Sequence, residues 1–300
     1  MTDEPDDLAL ASNLVRAAGS LAADMRRSGV QPTRKTSVTD LVTPADHAAE
    51  ALIVNRLRAA RPEDGIVAEE GSSQPGRRTW FVDPVDGTYN YATGITLWCS
   101  AVGLADGSEP VLGAVYHPAA DDLWSGGTGR PATRNGEPVP PIADRPLAES
   151  AVASYLHPTT MPDDSVREPL LRALRHAGTV RTFGSGSIEL AWVADGRLGG
   201  FFQHDCLPWD WLPGAALVTA AGGEVAVVPA NGHQWYIAGS KQLVDELATA
   251  LHGSGWRCRR RSRARLPAHQ ARRPMSGCFR RGRHRPAWPA TRLARHRARG

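Results

Sequence analysis

Two short apolar runs in this chain end directly on carboxylates: Ile66-Val67-Ala68 runs into Glu69-Glu70, and Thr79-Trp80-Phe81-Val82 runs into Asp83. Runs this short and apolar read as buried strands. A buried strand cannot leave a charge at its end unpaired, because the desolvation cost is prohibitive. The carboxyl ends of these strands are therefore expected to present their carboxylates. The next segment, Asp83-Pro84-Val85-Asp86-Gly87-Thr88-Tyr89-Asn90-Tyr91, tightens the constraint: two carboxylates three residues apart flank a proline-stiffened turn and can face one cleft. Mg²⁺ favours a few carboxylates together with phosphate and water oxygens. Gly87-Thr88 follows where a helix can begin, and the free N–H groups of such a start suit a phosphate held by the same ions. Further on, Trp209-Asp210 precedes an alanine-rich helix and the turn Ala221-Gly222-Gly223. One acidic pair alone is usually a solvated surface feature. Three acidic sites in order, each at a strand or helix junction, point to a metal-dependent centre.

Hydrophobic period supplies the frame around these residues. Leu10, Leu14, Ala18, Leu21 and Met25 line one face of a predicted helix. A second helix is expected from Thr43-Pro44, a capping residue followed by proline at the first helical position, as far as Pro62. Asp46 sits three residues after that cap, where it can complete the helix start or serve the site. From Leu97 to Trp124 the pattern predicts an antiparallel meander. Strands are then expected at 151–155, 179–183, 199–203, 224–228 and 235–238, with helices at 166–176, 186–195, 211–221 and 240–251. This divides the chain into an N-terminal α+β lobe (1–148), a C-terminal α/β lobe (149–252) and a tail (253–300).

The tail explains an overall charge of +4 that misleads. Residues 251–300 hold 16 of the 35 basic residues, all Arg, and none of the 31 acidic ones, so the first 250 residues carry a net −12. Such an acidic body disfavours nucleic acid as its partner and suits a protein that gathers carboxylates around cations. The tail has no hydrophobic period and reads as disordered; an Arg-rich segment of this kind is also the one feature that would fit a catalytically idle regulator or nucleic-acid-binding protein. The acidic start lacks the features of a secretory signal, and no apolar run is long enough to span a membrane, so a cytoplasmic protein is expected. Four scattered cysteines without a CxxC pair indicate neither a zinc site nor a disulfide framework.

The motifs together resemble the inositol monophosphatase family. An acidic pair followed by W-x-x-D-P-x-D-G-T-x-N-[FY] is matched by Glu69-Glu70 and Trp80–Tyr91, and W-D-x-x-x-G-x-x-[LIV]-x-x-x-A-G-G by Trp209–Gly223. An upstream [LV]-V-T-x-x-D element is matched by Leu41–Asp46. The resemblance implies a layered αβαβα sandwich and a phosphomonoesterase using two or three Mg²⁺ ions, with Mn²⁺ as a substitute. It assigns Glu69, Asp83 and the Val85 carbonyl to one ion, and Asp83, Asp86 and Asp210 to a second. Asp46, Thr88 and Glu69 become the catalytic residues that orient a water, and the Gly87 and Thr88 amides bind phosphate. Gly184, Ser185, Gly186 and Gln203 become substrate contacts. Gln203 stands where inositol phosphatases often carry Glu, so inositol 1-phosphate competes with histidinol phosphate as substrate, and Asp205 could then meet an amine. A homodimer acting on a small phosphorylated metabolite is the implied state, and Lys35 is a further candidate near the metal-site waters.

Overall fold

Helix α1 (Asp7–Arg27) starts where the Asp6 carboxylate accepts the Ala9 N–H at 2.9 Å. Its buried stripe runs through Leu10, Leu14 and Ala18 and continues on Ala22, leaving Leu21 and Met25 half-buried at the margin. Helix α2 (Pro44–Ala60) carries the expected cap: Thr43 closes a reciprocal pair with Asp46, whose carboxylate accepts the Thr43 N–H at 2.8 Å. The computed structural model describes residues 6–29, 33–34 and 41–253. Lys35 and the arginine-rich tail after Gly253 lie outside the described residues.

A two-residue ribbon, β1 (Thr33–Arg34) with β2 (Leu41–Val42), leads into α2. The large sheet comprises β3 (Gly65–Ala68), β4 (Ser73–Gln74), β5 (Arg78–Asp86), β6 (Cys99–Asp106), β7 (Glu109–His117), β8 (Asp122–Gly127), β9 (Arg130–Arg134) and β10 (Glu137–Pro138). Its order is β10-β9-β8-β7-β6-β5-β3-β4, antiparallel throughout except for β3 beside β5. The short helix α3 (Thr88–Thr93) joins β5 to β6. The second sheet has the order β12-β11-β13-β15-β14 and comprises β11 (Ala151–Ala153), β12 (Thr179–Arg181), β13 (Gly200–His204), β14 (Glu224–Ala230) and β15 (His233–Gly239). Helices α4 (Asp164–Leu174), α5 (Gly186–Ala194), α6 (Pro208–Ala220) and α7 (Lys241–His252) alternate with these strands. Helix α6 begins three residues before the expected 211, because Pro208 is preorganised for the first helical position. Asp210 thus belongs to the first turn of α6 and does not precede the helix.

Strand alternation sorts the side chains into five layers. Trp80, Val82, Val102 and Leu104 pack on α1 and α2, while Phe81, Ala101 and Val115 face α5 and α6 on the other side of the large sheet. Helices α5 and α6 also receive Phe201, Tyr236 and Ala238 from the second sheet, whose opposite face packs Phe202, Trp235 and Ile237 on α4 and α7. The result is the αβαβα sandwich that the resemblance implies. Among the described residues, no helix is long and apolar enough to cross a membrane.

Two glycines decide how closely α6 approaches the large sheet. Gly103 and Gly113 are register partners on β6 and β7, and a Cβ on Gly113 would lie 1.9 Å from the Pro213 carbonyl oxygen. Backbone rests directly on backbone here, which sets the height of Asp210 relative to Asp83. Gly113→Ala should cost about 1–3 kcal/mol by overpacking and reduce activity by displacing α6. Urea unfolding checks this, and a loss under about 0.5 kcal/mol would mean that α6 is not seated by this contact.

Candidate active site

Asp83 faces the α5–α6 layer on the same side of β5 as Phe81, and is 1% exposed. Asp86 reaches the same cleft although three residues separate the two, an odd spacing for one sheet face. A bulge resolves this: Asp83 pairs with Ala101 and Asp86 with Cys99, so three steps on β5 match two on β6. Asp210 shares a hydrogen bond with Asp83 from the first turn of α6. Glu69 follows β3, with its N–H donated to the Val82 carbonyl at 3.1 Å, and is half-buried.

Burial pushes the Asp83 carboxyl well above the usual range, and the charges of Glu69, Asp86, Asp210 and Asp46 push it further. Asp210 is raised likewise, by burial first and then by Asp86 and Glu69. The Oδ1 atom of Asp83 is buried without a hydrogen-bond partner. Buried like charges with an orphaned oxygen between them fit divalent cations, and an oxygen-only donor set fits hard ones such as Mg²⁺ or Mn²⁺.

Asp46 completes the helix start and also reaches Thr88. Its Oδ2 accepts the N–H and O–H of Thr43 at 2.8 and 2.6 Å, while Oδ1 accepts the Thr88 hydroxyl at 3.2 Å. Burial raises its carboxyl, against the lowering effect of those bonds. The Thr88 hydroxyl also lies 3.0 Å from the Val85 carbonyl oxygen, so its one proton has two acceptors and its lone pairs are left for a donor. Gly87 takes φ +94° at the start of α3, and a Cβ there would come within 3.0 Å of the Gly184 carbonyl oxygen.

The 184–187 loop is tied to this centre. Asp86 Oδ2 accepts the Ser187 N–H at 2.5 Å, and further bonds from Ser185 and Gly186 offset part of the upward shift that burial imposes on it. The buried Ser185 hydroxyl turns toward Cys99, 3.6 Å away. Gln203 lies on β13, half-buried and in register with Tyr236. Trp209 packs against the core between the two sheets, whereas Trp80, also expected beside the site, lies on the α1–α2 face of the large sheet and donates its Nε1–H to Asp64 at 2.9 Å.

Three positioning residues escaped the sequence reading. Glu50 accepts the N–H groups of Glu70 at 2.6 Å and Ser72 at 3.1 Å, fixing the turn that presents Glu69. Its signal was available: an acid four residues after Asp46, among the buried Ala45, Ala49 and Ile53 on one face of α2. Asn90 donates to the Leu97 and Phe183 carbonyls, both at 2.7 Å. Glu189 accepts the Phe183 N–H at 2.8 Å and is raised by burial to about 8.

Asp83 and Asp210 hold protons more tightly folded than unfolded, so the metal-free protein should lose stability as pH rises from about 4. In chelator at pH 8, Asp83→Asn should melt several degrees above wild type, at about 2–4 °C per kcal/mol for a domain of this size, and should gain little from Mg²⁺. A variant melting below wild type there would contradict the charge repulsion. Glu50→Ala should raise the Mg²⁺ concentration for half-maximal activity about 10–100-fold, with a much smaller change at saturating Mg²⁺. An unchanged Mg²⁺ requirement in a metal titration would remove Glu50 from the site.

A model of the inositol monophosphatase family matches residues 4–257. The chain is similar to inositol monophosphatase 1 of Solanum lycopersicum, 34% identical over 69% of this chain and 80% of that protein. It is 33% identical to an inositol-1-monophosphatase of Synechocystis over 73% of this chain and 78% of the relative. A fructose-1,6-bisphosphatase/inositol-1-monophosphatase of Thermotoga maritima is 31% identical over 64% of this chain and 73% of its own length. Among solved structures, inositol monophosphatase from Anabaena superposes with a TM-score of 0.71 at 28% identity, covering 83% of this chain and 98% of its own.

Proposed function

The chain belongs to the inositol monophosphatase family and is a phosphoric monoester hydrolase, and from that premise we propose that it releases phosphate from a small polyol, inositol 1-phosphate before others, using Mg²⁺. The buried carboxylates around the unpartnered Asp83 oxygen carry this reading. Glu69, Asp83 and the Val85 carbonyl would hold one ion, and Asp83, Asp86 and Asp210 another. When bound, the ions neutralise phosphate charge, acidify water and stabilise the departing oxygen. Asp46 draws on the Thr88 hydroxyl, whose lone pairs accept a hydrogen bond from the attacking water and aim it at phosphorus. The Gly87 and Thr88 amides hold the phosphate oxygens, and the left-handed backbone at Gly87 supports their orientation. Gly184, Ser185, Gly186 and Gln203 then meet the substrate's hydroxyls, Gln203 acting as donor and acceptor.

The names of the similar proteins support inositol monophosphate, and the Thermotoga relative's name adds fructose 1,6-bisphosphate as a second candidate. An amine-bearing substrate would need a free carboxylate. Asp205 does not offer one, since it is bonded to His233 and to the Gln234 N–H. Phosphate release by the full chain in Mg²⁺ should favour myo-inositol 1-phosphate over histidinol phosphate in kcat/KM. Asp83→Asn should lower the rate at least about 10²-fold. Full activity of that variant would overturn the mechanism, and a preference for histidinol phosphate would overturn the substrate.

A further inference from the structure

The opposite face of β13 from Gln203 carries a second constellation. Among the described residues, His204, Asp205 and His233 are the one group of His, Cys, Asp and Glu whose ligand atoms all lie within 4.8 Å of one another. We propose that these three residues form a binding site for a divalent ion of borderline hardness, Zn²⁺ in the first place, separate from the carboxylate centre. The topology assembles it. His204 pairs with Trp235 across the β13–β15 ladder, and His233 lies two residues before Trp235, so both imidazoles share the face that packs toward α4. Their rings sit 5.5 Å apart between centroids. Asp205, just past β13, exchanges backbone hydrogen bonds that fix its place: its N–H donates to the Gln234 carbonyl at 2.7 Å, and its Oδ1 accepts the Gln234 N–H at 3.0 Å. Only Oδ2 is left to face the rings.

Proton accounting shows that a cation belongs at this point. Oδ2 of Asp205 lies 2.5 Å from Nδ1 of His233 and 3.4 Å from Nδ1 of His204. At its other end, His233 Nε2 lies 2.9 Å from the Ser165 hydroxyl, which is itself 2.5 Å from Asp163 Oδ1. Asp163 is an acceptor, held below the usual carboxylate range by Ser165, so Ser165 gives its proton to Asp163 and must accept the Nε2–H of His233. With Nε2 protonated, neutral His233 directs a lone pair from Nδ1 at a carboxylate. A ring-nitrogen lone pair and a carboxylate oxygen at that distance need a cation between them, either an added proton or a metal ion.

The donors favour the metal. Neutral imidazole suits Zn²⁺, Cu²⁺ and Ni²⁺, whereas Mg²⁺ prefers oxygen alone. A tetrahedral zinc site has ligand–ligand edges of roughly 3.3 Å, given bonds near 2.0–2.1 Å. The His204–Asp205 edge already has about that length, and the His233–Asp205 edge must open by less than an ångström. Ser165 supplies the outer hydrogen bond that metal-bound imidazoles usually make. Side-chain exposures of 15%, 23% and 42% for His204, His233 and Asp205 leave room for a water as fourth ligand.

The test uses the full chain, stripped of metal and returned to excess Mg²⁺, so that oxygen sites hold Mg²⁺ while Zn²⁺ is titrated against a chromogenic chelator. Wild type should bind one more Zn²⁺ than His233→Ala or Asp205→Gly, and Ser165→Ala should bind that ion about 10-fold more weakly. Asp205→Gly guards against misfolding, since φ at this position is +47° and glycine adopts it without strain. Its melting temperature in chelator should match or exceed wild type, and only wild type should melt higher on adding Zn²⁺. Equal Zn²⁺ uptake by wild type and both ligand variants would overturn the site. So would no uptake by wild type, which would assign the cation to a proton on His233.

Discussion

Carboxylate repulsion around Asp83 is the constraint to which the rest of this structure answers. Asp46, Glu69, Asp83, Asp86 and Asp210 come from four segments, and the interior they share raises the protonation of Asp83 and Asp210 far above the ordinary range. No chain gathers such charges for stability, because each buried carboxylate without a counter-ion works against folding. The fold tolerates them because every carrier is held in place by local structure: the cap at Thr43, the Glu50 clasp on the 70–72 turn, the bulge in β5 and the seat of α6 on Gly103 and Gly113. A preorganised anionic cavity results, ready for cations that supply what the protein lacks.

That preorganisation also joins the two sheets' surroundings into one site. Asp86, from the first half of the chain, takes the Ser187 N–H at the start of α5, and Asn90 bonds the Phe183 carbonyl. A Cβ on Gly87 would lie 3.0 Å from the Gly184 carbonyl oxygen, and one on Gly184 would lie 3.3 Å from the Asn90 amide nitrogen. The 86–90 turn and the 183–187 loop therefore share close contacts.

Much of this was legible in the sequence. Strands ending on acids, the capped helix at Thr43 and the βα alternation after Glu149 survive as observed elements, because period and capping act locally. The start of α6 did not, since Pro208 outweighed the apolar pattern that begins at Trp211. The edge strands β4 and β10, and β9 beside the latter, were missed as well. They are short, polar and exposed, and pairing partners rather than their own side chains define them. Glu50, Asn90 and Glu189 were overlooked for a related reason: a residue that orients another is recognisable only when its partner's backbone is in view.

The two faces of β13 show how far one strand can separate metal chemistries. Gln203 projects toward the layer that holds the oxygen-only carboxylates, while His204 projects to the face where imidazoles meet Asp205. Period-two alternation makes this division automatic, for adjacent residues on a strand cannot share a side. Hard ions find only oxygen on one face, and borderline ions find nitrogen on the other. A Zn²⁺ ion drawn to the imidazoles would therefore be kept from the carboxylate centre by donor type and by the sheet itself, so the two sites can fill from one pool of ions without exchanging occupants.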